Sequence, residues 1–69
     1  MTQQIDTTQP RSILRLPEVE RRTGYKRAHI YNLIRDNKFP KNKRIGTRTV
    51  GWDSQEIDLW VQQRLEQDN

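Results

Sequence analysis

A glycine-containing turn, Thr23-Gly24, lies between two short segments that each have a helix-forming pattern. Upstream, Pro17 suits the first turn of a helix, where its missing N–H costs nothing. Gly24 is the expected left-handed residue at the end of that helix. Downstream, the apolar side chains recur at helical spacing, at Ile30, Leu33 and Ile34. This spacing predicts a second helix over residues 26–36, and the whole pattern is typical of a helix-turn-helix.

Beyond Pro40 the pattern of apolar residues changes. Residues 43–52 read as a β-hairpin with its turn at Gly46-Thr47-Arg48, and Ile45, Val50 and Trp52 can share one face of it. Asp53, followed three residues later by Glu56, has the spacing of a capping box and predicts a last helix. With a short strand expected between Ser12 and Leu16, the chain is predicted to be mainly α with a small β-hairpin, a winged helix-turn-helix.

The length of the chain sets the size of the core. Its 69 residues make one small domain, and the absence of cysteine leaves no disulfide or thiolate metal site to support it. We expect residues 1–11 to form a disordered tail and residues 12–67 to form the domain. No apolar run is long enough for a membrane span. The predicted core consists of Leu16, Val19, Ile30, Leu33, Ile34, Ile45, Val50, Trp52, Ile57, Trp60 and Val61.

Positive charge is concentrated in the middle of the chain. Residues 21–48 hold ten basic side chains and one acidic one, Asp36, a net charge of +9, although the whole chain carries only +4. Such a cluster is typical of a protein that binds a polyanion, because each neutralised phosphate releases condensed counterions. A solvated basic face is the plainer alternative. The basic block coincides with the helix-turn-helix and the hairpin, which favours duplex DNA as the partner.

The chain resembles the AlpA family of prophage regulators, which share their architecture with small phage excisionases and MerR-like DNA-binding domains. The resemblance covers residues 13–65 and lies in Leu16-Pro17-Glu18-Val19, Thr23-Gly24, Ile30-Tyr31, Phe39-Pro40, Gly51-Trp52 and Glu56-Ile57-Asp58 with Trp60. It implies a second helix in the major groove and a hairpin wing on the flanking backbone or minor groove. It also implies regulation of transcription near integrase genes, or assistance in excising a mobile element.

Two sets of side chains are candidates for DNA contact. Residues near the start of a recognition helix reach base edges, so the candidate base contacts are Lys26, Arg27, His29 and Tyr31. Arg27 contacts either guanine or phosphate, and Tyr31 contacts phosphate or simply packs. The candidates for the backbone or minor groove are Arg22, Arg35, Lys41, Lys43, Arg44, Thr47 and Arg48. At the turn, Arg48 suits a narrow minor groove.

The predicted function is a sequence-specific double-stranded-DNA-binding regulator of transcription, without catalysis and without a cofactor. A single histidine, His29, and the absence of cysteine argue against a metal site. We expect binding as a dimer or as several copies on adjacent sites, an integrase or RNA polymerase as further partners, and a cytoplasmic location on the bacterial nucleoid. The alternatives are an excisionase that bends attachment-site DNA, a basic module that docks on an acidic protein, and an RNA binder.

Overall fold

A computed structural model describes residues 10–67, which form three helices and three short strands. In chain order these are β1 (Ile13–Leu14), α1 (Leu16–Thr23), α2 (Arg27–Arg35), β2 (Lys43–Arg44), β3 (Val50–Asp53) and α3 (Ser54–Glu66). The predicted order of elements is confirmed, and so is the fold class, a small, mainly helical winged helix-turn-helix. Residues 1–9 of the predicted tail lie outside the described residues.

The three strands form one antiparallel sheet with β3 in the middle. On one edge Leu14 pairs with Trp52, and on the other Lys43 pairs with Gly51. The β2–β3 hairpin, residues 43–53, is called the wing below. Its turn is closed by the Ile45 N–H, which donates to the Thr49 carbonyl at 2.8 Å. The strand before α1 therefore ties the start of the domain to the base of the wing.

The helix ends follow the residues that the sequence places there. Gly24 ends α1 with φ of 80°, a left-handed conformation that glycine adopts without steric cost. Lys26 precedes α2 and provides no side-chain cap. The Asp53 carboxylate caps α3 by accepting from the Gln55 N–H at 2.9 Å. The reciprocal half of a capping box is missing, because the Glu56 carboxylate accepts from Lys43 instead, at 3.0 Å.

Six apolar side chains from every part of the domain form the buried core: Leu14, Val19, Ile30, Phe39, Trp52 and Ile57. Five other predicted core residues pack against it while partly buried: Leu16, Leu33, Ile34, Trp60 and Val61. The prediction was wrong for Ile45 and Val50, which are 41% and 37% exposed. Both lie next to the turn of a hairpin whose strand β2 has only two residues and packs mainly against β3 and not against a helix.

The two tryptophans fix the segment that leads from α2 to the wing. The Trp52 indole N–H donates to the Pro40 carbonyl at 3.1 Å, and the Trp60 indole N–H donates to the Lys38 carbonyl at 2.9 Å. Phe39 lies between these anchors, 5% exposed, with its ring edge-on to Trp60. The position of the wing relative to α2 is therefore set by the core. Within residues 10–67, no helix has the length and apolar character that a membrane span requires.

Candidate nucleic-acid interface

The outer face of α2 is opposite the residue that anchors the helix. Ile30 is fully buried, and the side chains of successive residues in an α-helix point about 100° apart around the helix axis. Ala28 and Asn32 each lie two residues from Ile30, about 200° around the helix, and both are exposed. They line a shallow depression of about 400 Å³ together with Arg27 and Tyr31. This outer face is open to a ligand along its whole length.

Tyr31 lies on the flank of α2 that faces the wing. Its ring packs against Trp52 of β3 with 6.2 Å between the centroids. Its hydroxyl accepts a hydrogen bond from Asn42 Nδ2 at 3.5 Å, just before β2 begins. Arg27 lies on the same flank, with its guanidinium carbon 5.8 Å from the centre of the Tyr31 ring. The wing and the start of α2 therefore border one continuous surface.

His29 lies on the other flank of α2. Its imidazole stacks on the Tyr25 ring with 4.1 Å between centroids, and the Tyr25 ring meets Trp60 of α3 edge-on. The side chain is exposed, but it points toward α3 and away from the wing. Among residues 10–67 no group of three His, Cys, Asp or Glu side chains could hold a metal ion.

The cations divide into two sets according to their carboxylate partners. The cations that form ion pairs, called the paired set, are Arg11, Arg21, Arg22 and Lys43. The cations of α2, of the segment after it and of the wing turn have no carboxylate partner among residues 10–67. This unpaired set consists of Lys26, Arg27, Arg35, Lys38, Lys41, Arg44 and Arg48. The two remaining arginines also have no carboxylate partner among residues 10–67, but they lie away from α2 and the wing turn: Arg64 lies against the Trp60 ring and Arg15 precedes α1.

Three of the four paired cations join parts of the chain that are far apart, and Arg21 pairs within α1. Arg22 donates to Glu18 within α1 at 3.1 Å and to Asp58 of α3 at 2.7 Å, which raises the pKa of its guanidinium. Hydrogen bonds from Arg21 and Arg22 lower the pKa of Glu18. Arg11 donates to Asp53 at 2.6 Å and lowers the pKa of that carboxyl group, which also caps α3. These cations therefore stabilise the fold through their ion pairs with carboxylates.

The candidate residues of the wing differ in their contacts. Arg44 donates to the Thr47 carbonyl at 3.4 Å, which is longer than the usual range of an N–H···O bond. Thr47 and Arg48 are exposed at the turn, and Lys41 is exposed before β2. Lys43, in contrast, binds Glu56 of α3 at 3.0 Å.

Two residues on the outer face of α2, Ala28 and Asn32, are missing from the base contacts that the sequence predicts. Neither side chain is charged or aromatic, whereas the predicted base contacts all are. Their position two residues before and after Ile30 could have identified both, because Ile30 belongs to the apolar stripe visible in the sequence. Asn32 accepts from Arg35 Nη2 at 2.8 Å, so Arg35, predicted to meet the backbone, adjoins the same face.

Comparison with known proteins identifies the family. Residues 12–65, most of the chain, match the family model for the prophage CP4-57 regulatory protein, AlpA. The chain belongs to the AlpA family. The resemblance inferred from the residues is thereby confirmed, and the family is one of prophage regulatory proteins. No solved structure matches the chain.

Two relatives show how similar the chain is to other members of the AlpA family. The DNA-binding transcriptional activator AlpA of Escherichia coli (strain K12) is 45% identical over 58 residues, which cover 75% of this chain and 83% of the relative. The uncharacterized protein ORF88 of Enterobacteria phage P4 is 40% identical over 60 residues, covering 87% of this chain and 67% of the relative.

Proposed function

We propose that this member of the AlpA family is a sequence-specific double-stranded-DNA-binding regulator of transcription from a prophage or another mobile element. In this proposal α2 enters the major groove, and the wing lies on the adjacent backbone or minor groove. The observation that carries the proposal is the separation of the cations. The unpaired set lies on and just before α2, on the segment after it and in the wing, whereas Arg11, Arg21 and Arg22 bind carboxylates.

Unpaired cations favour a polyanionic partner for an energetic reason. A guanidinium that already binds a carboxylate must give up that partner to bind phosphate, whereas an unpaired one loses only water and gains from counterion release. The relative from Escherichia coli is named a DNA-binding transcriptional activator. The charge pattern and the family therefore support the same partner.

The roles of single residues follow from their places on this surface. We assign base contacts to Lys26, Arg27 and Tyr31 at the start of α2 and on its wing-facing flank. The phosphate or minor-groove contacts are assigned to Arg35, Lys41, Arg44, Thr47 and Arg48. Arg22 and Lys43 contribute less, because each holds a carboxylate. His29 contributes at the edge of the footprint, because it stacks on Tyr25 on the far flank.

One domain of this size supplies limited affinity. A single small DNA-binding module buries only about 600–1,000 Å². We therefore propose that the protein binds as a dimer or as several copies on adjacent sites. We also propose an integrase or RNA polymerase as its further partner. Its location is then the cytoplasm, on the nucleoid.

We assign it no catalytic step, because its family consists of regulators and its one histidine stacks on a tyrosine.

The test is selection from a random duplex DNA pool, followed by binding of the selected duplex at increasing salt concentration. We expect an enriched motif and a log–log salt slope of roughly −4 to −6, as neutralisation of about four to seven phosphates requires. The same sequence as single-stranded DNA and as duplex RNA provides the controls, and both should bind more weakly. Tighter binding to RNA, or no salt-sensitive binding to any duplex DNA, would overturn the proposal.

A further inference from the structure

We propose that Asn32 reads an adenine in the major groove, with Ala28 one turn earlier against the methyl group of a thymine. This inference rests on the proposed function and deepens it, because it predicts which base pairs the recognised site must contain. The site would hold a fixed A·T pair opposite Asn32 and a second A·T pair within about two steps of it.

Asn32 lies on the side of α2 that is farthest from the core. Ile30 is fully buried, so the two residues placed about 200° from it, Ala28 and Asn32, form the ridge of α2 that is farthest from the core. A helix that enters the major groove presents this ridge to the base edges. Arg27 lies on the flank of that ridge, with its guanidinium over the Tyr31 ring. Asn32 is therefore better placed for the floor of the groove than Arg27.

The orientation of the Asn32 amide is fixed by its neighbour. Arg35 Nη2 contacts Asn32 Oδ1 at 2.8 Å. Because a guanidinium has only donors, the atom that it meets must be the amide oxygen and not the amide nitrogen. An amide oxygen has two lone pairs, so one is left for a second donor. Among residues 10–67 nothing binds Nδ2, so it is left to donate to a ligand.

This arrangement matches adenine and no other purine. In the major groove adenine offers one donor, its N6 amino group, and one acceptor, N7, which an asparagine amide satisfies with Oδ1 and Nδ2 together. Guanine offers two acceptors, O6 and N7, and would leave Oδ1 opposed to O6. The ridge thus has a built-in preference for adenine over guanine.

Ala28 extends the preference to a neighbouring pair. Its exposed methyl group lies one turn before Asn32, about 6 Å along the helix axis, and lines the same depression. A small apolar side chain in the major groove contacts the thymine methyl group. No polar atom of Ala28 could bind a G·C pair in its place.

The experiment is selection from a random duplex pool with three purified proteins: the wild type, Asn32→Ala and Gln63→Ala. Gln63 is an exposed amide on α3 and serves as the matched control. We expect the wild type and the control to enrich the same motif, with one invariant adenine that the Asn32→Ala protein no longer requires. On the wild-type motif, Asn32→Ala should lose about 5- to 150-fold in affinity.

A probe with 7-deazaadenine at the invariant position tests the contact atom by atom, because it lacks the N7 acceptor. The wild type should bind this probe more weakly than the natural duplex, and Asn32→Ala should bind both equally. If the wild type enriches a motif that Asn32→Ala keeps unchanged, the inference about Asn32 fails while the proposed function stands. If the wild type enriches no motif, the proposed sequence-specific function fails, and the inference fails with it.

Discussion

The two sets of cations show how one small domain uses the same residue types for opposite purposes. In the paired set, Arg22 joins α1 to α3 through Glu18 and Asp58, and Arg11 joins the chain start to Asp53. In the unpaired set, Arg48 and Lys41 have no carboxylate partner among the described residues. The lesson is that net charge alone does not locate a nucleic-acid surface. Under the proposed function, the surface is marked by the cations of α2, the segment after it and the wing that the fold leaves without a carboxylate partner.

Both sets of cations are carried by elements that share one hydrophobic core. The largest predicted effect therefore comes from truncating a central side chain of that core. Trp52 is 1% exposed and donates to the Pro40 carbonyl, so Trp52→Ala should cost about 3–5 kcal/mol of unfolding free energy. A domain of this size has roughly that much in total, so thermal denaturation should show a largely unfolded protein and DNA binding should be lost. A folded variant that still binds DNA would show that the surface does not depend on this core.

The second prediction compares two glycines of the wing. A Cβ at Gly51 would lie 2.6 Å from Ile13 Cγ2 and 3.1 Å from the Leu14 carbonyl oxygen, so Gly51→Ala must shift the Ile13 side chain or β1 itself. Overpacking of this kind costs about 1–3 kcal/mol. At Gly46 the nearest atom is Thr49 Cβ at 3.4 Å, an ordinary contact, and Gly46→Ala is the matched control. Chemical denaturation of both variants should rank Gly51→Ala as the weaker fold, and the opposite ranking would contradict this packing.

The third prediction exchanges one cation from each set. Arg22→Gln should lower the unfolding free energy by about 1 kcal/mol or less and barely change the salt slope of DNA binding. Arg48→Gln should leave the unfolding free energy within about 0.5 kcal/mol and reduce the salt slope by about 1. Denaturation curves and binding titrations of the two variants check both expectations. An equal effect on the salt slope would remove the distinction between the sets.

The smallest predicted effect is on the acid side of the pH range. The folded state lowers the pKa of Glu18 and Asp53, so the stability that they contribute is complete above the ordinary carboxyl pKa of about 4. It is lost as the pH falls through their lowered pKa values. The melting temperature should therefore drop below pH 4, and less steeply in the double variant Glu18→Gln, Asp53→Asn. Identical pH profiles for the double variant and the wild type would contradict the ion pairs.

Local patterns in the sequence were sufficient to predict the helices, but not the contacts between residues that lie far apart in the chain. Gly24 and the Ile30 stripe predicted α1 and α2 because both depend on neighbours within one turn. Leu14 was missing from the predicted core, because its burial depends on pairing with Trp52, 38 residues away. Phe39 was also missed, since it lies in a segment without periodicity that the two indoles hold in place.

The positive charge of the candidate surface was predictable from the sequence, but the partners of its individual cations were not. The basic block over residues 21–48 contains every member of the unpaired set. Which of its cations are already paired was not visible, because Asp58 lies 36 residues from Arg22 and Glu56 lies 13 from Lys43. Asn32 was overlooked because it is neutral, although its place opposite Ile30 follows from helix geometry.

The most direct test of the two-set distinction removes three charges from each set and compares the salt dependence of binding to the selected duplex. One variant changes Arg35, Lys41 and Arg48 to Gln, and the other changes Arg11, Arg21 and Lys43 to Gln. Each removes three of the 13 Lys and Arg residues and takes the net charge from +4 to +1. Circular dichroism confirms first that both are folded. We predict that the first loses roughly 2.7 from its salt slope and the second less than about 1. Equal losses would show that net charge, and not the unpaired set, determines binding.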